Sequence, residues 1–131
     1  MLGKTGRARD RELLILRMGW DSQSEYEWSE HVGPVGGARK MGLPIERIPM
    51  GPDVSDWDPF EANILRFVDE MYRDGVVSDR TWNALKLRYD DRLMIDATIT
   101  PANYRMVSLA LNILGVQSNP GEEKLPAVPS R

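Results

Sequence analysis

Apolar positions along this chain recur at helical rather than alternating spacing. The first dense run, Leu13-Leu14-Ile15-Leu16 in DRELLILRMG, is apolar on nearly every side and predicts a central helix over about 10–19, with Asp10 as its N-cap. A strand of that length has the same periodicity, but Leu, Met, Arg and Glu favour helix and few residues are β-branched. Met1 to Ala8 reads as a mobile lead-in and Trp20 to Gln23 as a link. A second helix starts near Ser22 or Ser24 and runs towards Met41. Pro34 kinks it, Gly42 stands at its C′ position, and Gly33, Gly36 and Gly37 allow close packing against another backbone. Pro44 to Met50 predicts a short helix, and GPDVSDWDP a loop.

Asp58-Pro59 opens a helix with Phe60, Ile64, Phe67, Val68 and Met71 on one side, ended by Gly75. Ser78 caps a further helix carrying Trp82, Leu85 and Tyr89. A short helix over about 90–99 turns Leu93 and Met94 inward. Thr100-Pro101 then caps a last one, with Tyr104, Val107, Leu111 and Leu114 as its apolar stripe and Gly115 as its stop. The pattern predicts an all-α fold: a bundle of about six helices in a single domain over 1–116. Residues 117–131, rich in proline and charge, predict a disordered tail.

Length and composition change this picture little. A chain of 131 residues, 41% of them hydrophobic, fits one globular domain. The net charge of −3 makes no case for nucleic acid as a partner. Lys4, Arg7, Arg9, Arg11 and Arg17 do cluster early, as an exposed face, a subunit contact or a site for an anionic ligand. No run of about 18 apolar residues is present, so no membrane span is expected. There is no cysteine, which removes disulfides, thiolate metal sites and any thiol peroxidase mechanism. A cytoplasmic location is the expectation. With one histidine and no cysteine, no metal site is expected. No glycine-rich phosphate loop follows a strand, so no nucleotide cofactor is expected either.

The chemistry concentrates in SEYEWSEHVGPVGGARKMG. It holds His31, the only histidine, and Ser24, Glu27 and His31 share one helical face. Glu12 stands upstream at the mouth of the apolar run. An imidazole titrates near neutrality and can take and give a proton within one cycle, and a carboxylate bonded to it orients the ring and favours its charged form. His31, Glu12 and Glu27 are therefore the candidate catalytic residues. Ser24, Tyr26, Trp28 and Tyr104 are candidate substrate-pocket residues, and Arg39 or an N-terminal arginine is the candidate grip for a substrate carboxylate. The plain alternatives are a helix cap for Ser24, a helix-dipole partner for Glu12, and core or contact residues for Tyr104 and the tryptophans.

The blocks RELLILR and YEWSEHVGPVGGARKMGL, with the Glu12 to His31 separation and Gly42-Leu43 after it, resemble the carboxymuconolactone decarboxylase and alkyl hydroperoxidase D-like superfamily, from about Arg9 to Val116. In the peroxidase branch a Cys-x-x-Cys-x-x-x-His pattern precedes the histidine. Its thiol positions fall here on Ser24 and Glu27, and its relay glutamate on Glu12. The resemblance implies the decarboxylase-like branch: a cofactor-free lyase acting on a small carboxylated lactone or related carbonyl compound, in a homotrimer or homohexamer. Relatives of this type often carry more helical sequence before the RELLIL block. Two rival readings stay open: an isomerase or hydratase using the same acid–base pair, and a non-catalytic helical oligomer that binds a ligand.

Overall fold

The computed structural model describes residues 4–127, with side chains from Arg7 onwards. Among the described residues the elements are α1 (Lys4–Asp21), α2 (Glu25–Val32), a single 3-10 turn (Ile45–Arg47), α3 (Pro59–Asp74), α4 (Asp79–Lys86) and α5 (Asp91–Leu114), with no strand. The fold is all-α, as the periodicity required, with five α-helices where the pattern predicted about six helices.

α1 is the hub. Leu13, Leu14, Ile15, Leu16 and Met18 are all buried, and α1 packs on α2, α3 and α5. Burying each such side chain stabilises the fold by about 1.5–3 kcal/mol, so this helix carries much of the core. It is longer than the apolar run suggested. Met1 to Gly3 of the predicted lead-in lie outside the described residues, but helix is present from Lys4. Asp10 is therefore inside the helix and not its N-cap. Its carboxylate accepts a hydrogen bond from the Tyr89 hydroxyl instead.

Cap chemistry set three boundaries as expected. Ser24 Oγ accepts from Glu27 N, Asp58 from Phe60 N and Glu61 N, and Ser78 Oγ from Thr81 N. Gly75 and Gly115 end α3 and α5 at φ of 72° and 74°. Two predicted elements differ. The second helix stops at Val32 rather than bending through to Met41, because a proline disfavours helical geometry in the residue before it. Gly33 sits at φ −99°, ψ −122°, and residues 33–42 form turns. The predicted helices over 90–99 and 101–114 are one helix, capped by Asp90 and not by Thr100. Pro101 lies buried inside α5, where packing along α1 keeps the helix continuous despite the missing N–H.

Residues 117–127, predicted as the start of a disordered tail, contain no helix or strand and lie against the domain. Ser29 Oγ donates to the Glu123 carbonyl, and Leu125 packs on the core. Residues 128–131 lie outside the described residues. No helix among the described residues is long and apolar enough to cross a membrane.

Candidate acid–base site

α1 and α2 cross at a close approach, with the position of a Cβ on Gly19 only 3.9 Å from Trp28 N. The crossing brings Glu12, at the start of the buried run, opposite His31 in the last turn of α2. Glu12 Oε1 lies 2.7 Å from His31 Nδ1, a short charge-assisted hydrogen bond, and both residues are 5% exposed. Because α1 begins at Lys4, Glu12 is nowhere near its positive end. The helix-dipole explanation of this glutamate is thereby removed, and the contact to His31 accounts for its place.

Glu27, one helical turn before His31, reaches the other side of the ring. Its Oε2 is 3.5 Å from Nε2, an ion-pair distance longer than a hydrogen bond. The imidazole is thus held tightly at Nδ1 and loosely at Nε2. Tyr104 of α5 closes the group, its ring edge-on to the imidazole at 5.0 Å and 90°. Burial opposes charge on His31, but the Glu12 hydrogen bond and the attraction of the Glu12 and Glu27 carboxylates outweigh it and hold the imidazole pKa up to about 9. At neutral pH His31 is an imidazolium. Burial raises the Tyr104 pKa; Arg11 opposes that shift, while Glu27 and Glu12 add to it.

Gly36 completes the geometry. A Cβ there would sit 2.0 Å from Glu12 Oε1, 2.5 Å from the His31 carbonyl and 2.7 Å from its Cα. Two of those obstacles are backbone, so only glycine lets the turn after α2 fold over the pair. The close packing expected of the glycine cluster is realised at this residue against the site itself. Its role at the site was not read from the sequence, where three glycines within five residues gave no way to single it out.

The remaining predicted site residues are spread apart. Ser24 is the fully buried N-cap of α2. Trp28 is a core side chain packed edge-on against Trp20 at 6.2 Å. Tyr26 is half-buried. Arg39 is tied to Glu123 at 2.7 and 2.8 Å and to Glu46 at 2.9 Å, so its guanidinium is already engaged away from His31. His31, Glu12, Glu27 and Tyr104 are the predicted residues that the fold brings together.

Among the described residues, no group of three or more His, Asp or Glu side chains is placed to hold a metal ion. Comparison with models of known protein families, with characterised proteins and with solved structures found no match for the chain.

Proposed function

We propose that this chain is a cofactor-free acid–base enzyme of the carboxymuconolactone decarboxylase type, with an alkyl hydroperoxidase D-like fold, in which His31 is the proton donor and Glu12 its positioning partner. The observation that supports this reading best is the buried 2.7 Å Glu12–His31 contact, which keeps an imidazolium inside the domain at neutral pH. The substrate is a small carboxylated lactone or related carbonyl compound. As its carboxylate leaves as carbon dioxide, the electron pair of the broken carbon–carbon bond moves into the conjugated carbonyl. The loosely held Nε2 proton is then transferred to the carbon that must be protonated. Glu12 remains on Nδ1, orienting the ring and stabilising its charged form until the proton leaves. Glu27 then takes up a proton from solvent water and passes it to Nε2, which restores the imidazolium.

Purified protein offered a panel of carboxylated lactones and β-keto acids tests this reading, with substrate loss and carbon dioxide followed beside a His31→Ala variant. Turnover lost in the variant supports it, and turnover at an unchanged rate in the variant sinks it. Solvent deuterium incorporation without carbon dioxide would assign the same pair to an isomerase or hydratase.

A second reading has its own observation. Both ring nitrogens face carboxylates and the ring is 5% exposed, as in a purely structural ion pair. It requires that Glu12→Gln and His31→Gln alter stability and no reaction rate.

Self-association as a homotrimer or homohexamer belongs to the same proposal. It is supported by the outward face of α5. Ile95, Ile99, Ala102, Met106, Leu109 and Ile113 are exposed there, at successive gaps of four, three, four, three and four residues. This is the seam spacing of helices that pack on one another, and it lies opposite the Ala97–Tyr104–Leu111 row turned towards the domain.

A further inference from the structure

The early basic residues divide sharply in the fold. Arg9 is bound to Glu61 at 2.6 Å. Arg17 forks onto Asp69 at 2.7 and 3.0 Å and donates to the Ile48 carbonyl. The side chain of Lys4 is outside the described residues. Arg7 and Arg11 remain, both exposed and neither in an ion pair among the described residues. These two line one cavity of about 300 Å³. They stand one turn apart on α1, so their heads can close on a single anion.

The cavity lies between α1 and α5, and its floor is apolar: Leu14, Leu93 and Ala97. Its volume is at the lower end of the range for small-molecule pockets, about 300–1,000 Å³. Two acids also line it. Asp10 is taken up by the Tyr89 hydroxyl, with burial favouring its neutral form, while Asp96 is exposed at the rim. The open cationic groups are therefore the two arginines, above a greasy floor. That combination fits a small organic acid, carboxylate outwards and hydrocarbon inwards, better than a bare inorganic anion.

The cavity lies beside the acid–base group without reaching it: none of Glu12, Glu27, His31 and Tyr104 lines it. Thr100 lines it, and Tyr104 is the next residue on that face of α5, about 6 Å further along the axis. Arg11 influences the Tyr104 hydroxyl, and Tyr104 covers the His31 ring. We propose that the α1–α5 cavity is a carboxylate-binding site in which Arg7 and Arg11 hold the acid group of a small organic acid. The role of that acid as substrate rests on the acid–base reading above; its binding does not.

Titration of the full chain with benzoate tests this, followed by calorimetry and by the arginine Nε–H signals, with benzamide and inorganic phosphate as comparisons. Benzoate should bind saturably. Arg11→Gln and Arg7→Gln should each weaken it about tenfold or more, while Arg80→Gln, at an exposed arginine of α4 outside the cavity, leaves its Kd within about threefold. Both arginines are exposed, so the variants retain the fold, which circular dichroism checks. The site is overturned if benzoate does not saturate, if the arginine variants bind it as wild type does, or if benzamide or phosphate binds equally well. A chain that binds benzoate through these arginines yet turns over none of the carboxylated lactones and β-keto acids leaves the carboxylate site standing and moves the weight towards the ligand-binding reading.

Discussion

The His31 imidazole should titrate near pH 9, and Glu12→Gln should bring it down by more than one unit. The structure supplies the magnitude. An ordinary histidine titrates near 6.5, and His31 is raised to about 9. That difference, at about 1.4 kcal/mol per unit, corresponds to about 3 kcal/mol of folding stability linked to the imidazolium. The folded-state value lies above the unfolded one. This stability is therefore fully present below about pH 6.5 and is lost as pH rises through about 9.

Glutamine keeps the shape of Glu12 and removes its charge. Burial, which opposes the imidazolium, would then face only Glu27 at 3.5 Å. Because His31 is the only histidine, a long-range nitrogen–proton correlation spectrum of labelled protein contains one imidazole to follow from about pH 5 to about 10. Chemical denaturation at the same pH values reads the linked stability. A wild-type ring titrating near 6.5, or one unmoved by Glu12→Gln, would refute the electrostatic account of the site and the donor role built on it.

Gly36→Ala should lower the melting temperature and the His31 pKa together. The added methyl collides with Glu12 and with the His31 backbone, and overpacking of this kind costs about 1–3 kcal/mol; an alanine variant unchanged in both measurements contradicts the packing argument. Asp21, beside Asp69 and sharing Arg17 with it, has its pKa raised by burial and then by Asp69. Its contribution is most favourable below the unfolded pKa and erodes as pH rises, so Asp21→Asn should be stabilising by about 1 kcal/mol or more at pH 8, with the gain shrinking towards pH 4 in urea melts. Met106→Glu places a charge in the exposed seam of α5. It should reduce the solution mass to that of the 14.9 kDa chain by light scattering, and a persistent oligomer would move the contact elsewhere.

The features that follow from the chain alone are those that depend on neighbours within a turn. The caps at Ser24, Asp58 and Ser78 bond to amides two or three residues on, and Gly75 and Gly115 stop helices through their own backbone freedom. The buried row Phe60, Ile64, Phe67 and Val68 follows from helical period alone. Helix type was legible there because propensity, capping and periodicity act locally and agree.

The candidate site was legible only as residue types. Glu12 and His31 suit proton transfer, but their contact spans 19 residues and depends on how α1 crosses α2. The same crossing turned Trp28 into core, and the docking of Glu123 engaged Arg39, so two residues with the right chemistry stand outside the group. Gly36 and the Arg7–Arg11 pair, in no ion pair among the described residues, became visible only once the partners of neighbouring residues were known. Tertiary structure also decided that α5 runs through Pro101, where long-range burial offsets a local break of about 3 kcal/mol. Burial, charge pairing and steric exclusion are properties of three-dimensional neighbours, and along this chain those neighbours come from distant stretches of sequence.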